Sequence, residues 1–272
     1  MSITADFHMH SSHSGDGNTP MEEMIRQALN TGLTHLCFTE HQDFDYPASP
    51  DLPPDYFLLD TDAYRQELIS VQEQYKDQIQ VGFGVELGLQ PHLTAKLQQY
   101  VKSWPFDFII ASSHVCNGQD PYYPAFYKGR PRQDAYREYF ASILETIRTF
   151  QDFDVYGHLD YIVRYGPDKD QNYTYEPYAD ILDEILRLLI QPGKGLEINT
   201  GGLRCGLRET NPCLSILKRY RRLGGEIITA GSDAHTPEDI GYAFRQAEEL
   251  LKAAGFSHYT TFHNRRPLFH RL

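Results

Sequence analysis

Asp6-Phe7-His8-Met9-His10 ends the first apolar run of the chain, and its reading decides the fold. If residues 3–10 form a β-strand, side chains alternate between faces, so His8 and His10 point the same way. Two imidazoles about 7 Å apart on one face can share a metal ion. By itself a His-x-His pair is a weak signal, because two histidines on a strand commonly ligate nothing. Its weight depends on whether the pattern recurs.

It recurs along a strict alternation of elements. Strand-like runs at 36–39, 79–85, 106–111, 155–156, 195–198 and 226–230 follow the first. Helical patterns lie between and after them at 20–30, 61–75, 93–101, 133–150, 178–190, 212–223 and 240–254. Residues 259–262 add a possible terminal strand. Strand followed by helix, seven times, predicts parallel β with outer helices. At 272 residues the economical closure is an α/β fold of the TIM-like barrel type, one domain over residues 1–272. An open doubly wound sheet is the alternative, but such a sheet gathers its site at one switch point. Here polar residues end nearly every strand.

Those residues are His8, His10, His41, Glu86, His114, His158, Asp233 and His235. Strand ends in a (β/α) barrel converge on one rim, where active sites form. A single histidine at a strand end is ordinarily a satisfied rim residue, but six imidazoles and two carboxylates at the ends of six strands form a metal-binding ring. Imidazole and carboxylate without thiolate suit Zn, Mn or Fe better than Ca or Mg. Glu86 offers two oxygens and could bridge two ions. Arg164 and Arg204 fall in loops on the same rim, where guanidinium forks can pair with phosphate oxygens. Arg208 is a reserve.

The bulk numbers narrow the partners. A net charge of −12 and no basic stripe weigh against nucleic acid as a long substrate, but not against a small phosphorylated molecule. No apolar run is long enough for a membrane span, and no secretory signal is visible. Cys37, Cys116, Cys205 and Cys213 lack framework spacing, as expected of reduced thiols in a cytoplasmic protein. Oligomeric state is not legible.

The ordered set Asp6-Phe7-His8-Met9-His10, Thr39-Glu40-His41, Glu86, Ser113-His114, Gly157-His158 and Ser232-Asp233-Ala234-His235 resembles the polymerase and histidinol phosphatase (PHP) superfamily. Within it, the stretches 157–165 and 197–204 resemble the histidinol-phosphate phosphatase branch. The resemblance implies a distorted (β/α)7 barrel with three divalent metal ions. His8, His10, Glu86 and Asp233 would hold one; Glu86, His114 and His158 a second; His41 and His235 a third, completed by Asp16 or His13, with Asp16 favoured by spacing. Relatives carry Asp before the second-motif histidine where this chain has Glu40, which would then only orient His41.

The implied activity is hydrolysis of L-histidinol phosphate to L-histidinol and phosphate, in histidine biosynthesis, by attack of a metal-bridging hydroxide. Arg164 and Arg204 would bind the phosphate, and Asp233 or His235 would serve proton transfer. Asp43, Asp45, residues 122–127, Asp160 and Tyr161 are candidates for the substrate's amine and imidazole. A nucleotide or other small phosphoester as substrate, and a non-catalytic scaffold, are the alternatives.

Overall fold

The computed structural model describes residues 3–49 and 51–272. Seven parallel strands run in sequence order around one sheet: β1 (Ala5–Asp6), β2 (His35–Gln42), β3 (Gln80–Gly88), β4 (Phe108–Ser112), β5 (Val155–Tyr156), β6 (Gly195–Asn199) and β7 (Ile228–Gly231). Backbone hydrogen bonds from Phe7 N to Ala230 O (2.9 Å), Asp233 N to His8 O (2.8 Å) and His10 N to Ala234 O (2.8 Å) join the first strand to the last. The sheet is therefore a distorted (β/α)7 barrel.

The helices that follow the strands are α1 (Met21–Asn30), α2 (Thr61–Tyr75), α3 (Thr94–Ser103), α4 (Arg132–Thr149), α5 (Ala179–Ile190), a short α6 (Gly201–Arg204), α7 (Leu214–Arg222) and α8 (Phe244–Ala254). Helical spacing accounts for their inner faces: Met21, Met24, Ile25 and Ala28 of α1 are all buried. Asp60 caps α2 by accepting a hydrogen bond from Ala63 N at 3.0 Å. Among the described residues no helix is long and apolar enough to cross a membrane.

Three boundaries depart from the sequence reading. His41 and Glu86 lie inside β2 and β3 rather than at their ends, because the strands continue through polar residues that face the site. Helix α8 starts at Phe244 rather than 240, since Gly241 and Ala243 take positive φ (64° and 53°) and cannot continue a helix. The terminal segment makes two strands, β8 (His258–His263) and β9 (Arg266–Arg271), paired antiparallel. This hairpin seals the end where the strands begin. Thr260 Oγ1 accepts from Ile228 N, Arg265 N donates to Asp107 O, and Phe262 packs 5.0 Å from the Phe108 ring.

Candidate metal centre

At the opposite end, the loops leaving the strands carry the polar ring. His8 and His10 are fully buried beneath a cavity of about 220 Å³. Asp16, His41, Glu86, His114, His158, Asp233 and His235 line it, together with Arg164 and Arg204. All nine residues expected to bind metal thus come together. Asp16 Oδ2 lies 3.5 Å from His41 Nε2 and 3.2 Å from His235 Nε2. His13 turns away to pair with Glu67 at 2.8 Å.

Hydrogen bonds behind the ring set which nitrogen faces inward. His8 Nδ1 donates to Glu197 Oε1 at 2.6 Å and His114 Nδ1 to Asp43 Oδ1 at 2.8 Å. Ser14 donates to Glu40 at 2.6 Å, so its oxygen accepts from His10 Nδ1 at 3.0 Å. His235 Nδ1 donates to the Asp233 carbonyl at 3.1 Å. Each of these four rings therefore turns its Nε2 to the centre, the nitrogen free to ligate a cation once its proton is displaced.

Glu86 stands in the middle. Its Oε2 lies 3.2 Å from His8 Nε2, 3.5 Å from His10 Nε2 and 3.1 Å from His41 Nδ1. Its Oε1 lies 3.2 Å from His114 Nε2 and 2.8 Å from His158 Nε2. One carboxylate therefore serves two groups of imidazoles, as a bridge between ions would require. Ligand atoms gather within 4.8 Å in four overlapping triads: His10, His41 and His235; His8, His10 and Asp233; His8, Glu86 and His158; His41, Glu86 and His114.

The arrangement fits divalent cations on its own chemistry. Buried polar atoms without a hydrogen-bond partner include His8 Nε2, His10 Nε2, His41 Nδ1, Glu86 Oε2 and His235 Nε2. Orphaned buried acceptors are costly, and their convergence on one point is what a cation offsets. Burial, with His41 and His235 close by, pushes the His10 imidazole down to about 3, so the ring is neutral at pH 7. Burial alone would raise the Asp233 carboxyl, but His8 and Arg164 hold it well below the usual range.

Backbone strain marks the same place. His158 (φ 22°) and Asp233 (φ 58°) both take left-handed conformations without being glycine. Arg204 donates to the carbonyls of Ser232 and Asp233, both at 2.6 Å, and so holds that turn. Arg164 is buried and donates to Asp233 Oδ2 (2.8 Å), Asn199 Oδ1 (2.7 Å) and Asn211 Oδ1 (2.8 Å). Each guanidinium has five N–H groups, so both retain donors for a ligand in the cavity.

Several expectations change. Glu40 does not touch the His41 ring; it anchors Ser11 and Ser14 and orients His10 through Ser14. Asp43 is occupied by His114, Asp45 pairs with Lys96 at the surface, and Asp160 accepts from Asn211 and Cys213 N. Arg208 is exposed and does not line the cavity. Sequence reasoning assigned no role to Glu197, which holds His8 and also accepts from His158 N at 2.9 Å. A signal was present: one acid within the apolar strand Gly195–Asn199. Asp43 also had one, lying two residues after His41 and thus on the same face.

The sequence profile of the PHP domain matches residues 6–201. Histidinol-phosphatase from Lactococcus lactis is 34% identical over 94% of this chain and 93% of its own length. A probable histidinol-phosphatase from Clostridium acetobutylicum is 32% identical over 91% and 92%. The crystal structure of the Lactococcus lactis histidinol phosphate phosphatase complexed with zinc, L-histidinol and phosphate superimposes with a TM-score of 0.86. It is 33% identical and covers 97% of this chain and 98% of that one.

Proposed function

Because the chain belongs to the PHP domain family, we propose that it hydrolyses L-histidinol phosphate to L-histidinol and phosphate in a metal-dependent reaction. The observation that carries this reading is the convergence of unpartnered ligand atoms on one cavity beside two arginines.

We assign three divalent ions, zinc or manganese or iron, to the ring. His8, His10, Glu86 and Asp233 would hold one, and Glu86, His114 and His158 a second. His41, His235 and Asp16 would hold the third. Bound there, such ions lower the pKa of water to about 7 and offset charge on phosphoryl oxygens. Arg164 and Arg204 use their remaining donors on the phosphate oxygens, which fixes the ester for in-line attack by water.

The P–O bond to the leaving alkoxide breaks as the new bond forms, and the alkoxide takes up a proton. The proton given up by the attacking water reaches the alkoxide by way of Asp233, oriented by Arg164 and Asn199, or of His235 beside it. The four cysteines are unpaired, in keeping with our placing the enzyme in the cytoplasm.

The test is phosphate release from L-histidinol phosphate by protein of measured metal content, set against nucleoside monophosphates. A higher kcat/KM on a nucleotide would replace the substrate and keep the chemistry. The net charge of −12 weighs against long nucleic acids.

A further inference from the structure

Five carboxylates line the cavity: Asp16, Asp43, Glu86, Asp120 and Asp233. Four have positive or imidazole partners. Asp16 faces His41 and His235, Asp43 accepts from His114, Glu86 stands among five histidines, and Asp233 accepts from Arg164. Asp120 has none. It accepts only from neutral groups, the Tyr46 hydroxyl at 2.5 Å and Tyr122 N at 2.7 Å. Among the described residues no Lys, Arg or His lies within ion-pair distance of it, yet it is only 8% exposed.

A carboxylate buried without a counter-charge is expensive. Burial accordingly pushes its carboxyl upward, against the two hydrogen bonds and the more distant His114. Other acids in the site have reasons to be there that Asp120 lacks. Around it the cavity wall is aromatic, with Tyr46, Phe57, Tyr161 and Tyr165. The histidines and arginines, suited to a phosphate, thus adjoin a wall in which a buried carboxylate with no ion pair stands among flat rings. Such a wall takes a cation carried on a planar or hydrocarbon body.

We propose that Asp120 binds the ammonium of the leaving group and so selects phosphomonoesters bearing an amine, with Tyr46 holding its carboxylate in place. This rests on the phosphomonoesterase reading above and goes further by naming the residue that reads the alcohol.

Asp120→Asn removes the charge and keeps the size and the Tyr46 hydrogen bond. On metal-loaded enzyme, KM should rise about 10- to 100-fold more for L-histidinol phosphate and for phosphoethanolamine than for ethyl phosphate, with kcat changing far less. The dissociation constant of L-histidinol, measured by calorimetry, should weaken by a similar factor. Tyr46→Phe should move both in the same direction by less. An equal loss on all three esters overturns the proposal, because it would mark a merely structural role.

Should Asp120→Asn fail to fold, the wild-type protein decides. L-Histidinol must bind at least about tenfold tighter than 3-(imidazol-4-yl)propan-1-ol, which lacks the amine, and equal binding overturns the proposal. The two readings fail separately. Turnover of phosphoethanolamine but not of L-histidinol phosphate sinks the substrate assignment and leaves Asp120 to be judged on the amine-to-neutral ratio. Turnover of L-histidinol phosphate with an amine preference that survives in Asp120→Asn sinks the Asp120 proposal alone.

Discussion

His8 shows how much of this site is set one residue at a time. It is fully buried, its Nδ1 is committed to Glu197, and its Nε2 faces Glu86 and Asp233 without a hydrogen bond. His8→Ala should therefore lose bound metal, counted by atomic emission, and lower kcat by at least about 10³-fold, while far-ultraviolet circular dichroism stays native. Glu197→Gln is the subtler change. The side chain keeps its shape but no longer fixes His8 as a charged acceptor, so metal affinity should fall about 10- to 100-fold in a chelator competition. Unchanged affinity would mean that Glu197 serves only His158 N. Gly231 belongs to the same arrangement: a methyl there would sit 2.1 Å from Glu197 Oε1 and 2.4 Å from His8 Cβ, so only glycine leaves room for the pair.

Elements make separate contributions that can be tested away from the chemistry. The β8–β9 hairpin seals the barrel through Phe262, which lies at the end remote from the metal ring. Phe262→Ala should cost about 3 kcal/mol in denaturant unfolding, with kcat at 25 °C within about twofold of wild type. Helices α5 and α7 are tied together by Asp183, which accepts from Arg219 Nε at 2.7 Å and from Arg219 Nη2 and Tyr175. The Arg219 hydrogen bond is the main reason the Asp183 carboxyl is lowered to about 2 from 3.8. A carboxyl lowered in the folded state adds stability above its unfolded pKa, and that share is lost as pH falls through the folded value. Asp183→Asn should thus lower stability by about 1–2 kcal/mol at pH 7, allowing for screening at the part-exposed Arg219. The difference in Tm from wild type should narrow as pH drops from about 4 towards 2. A gap constant over that range would show that the pair acts through packing and not through charge.

For the whole molecule, the seven strands matter because they bring residues as distant in sequence as His8 and His235 to one point. In the absence of metal that convergence leaves orphaned acceptors in the interior. Cations that bind only the folded chain stabilise it by mass action, about 2.7 kcal/mol per site at one hundred times the dissociation constant. Exhaustive chelation should accordingly abolish phosphatase activity and lower Tm by at least about 5 °C, and zinc or manganese should restore both. Activity that persists at a metal content near zero would remove the basis of the proposed function.

The sequence by itself determined the alternation of strand and helix, hence the parallel barrel, and the polar residues on its rim. Period-two and period-3.6 patterns are local, and a barrel converts strand order directly into position around a ring. His8, His10, His41, Glu86, His114, His158, Asp233 and His235 were legible for that reason. Tertiary structure alone decided what those residues do to one another. It chose Asp16 over His13 as the neighbour of His41 and His235, turned Asp43 and Glu197 into holders of imidazoles, and left Asp120 buried without an ion pair. Such pairings are distances between side chains on different strands and loops. They depend on loop paths and on left-handed turns such as those at His158 and Asp233, which no local pattern encodes.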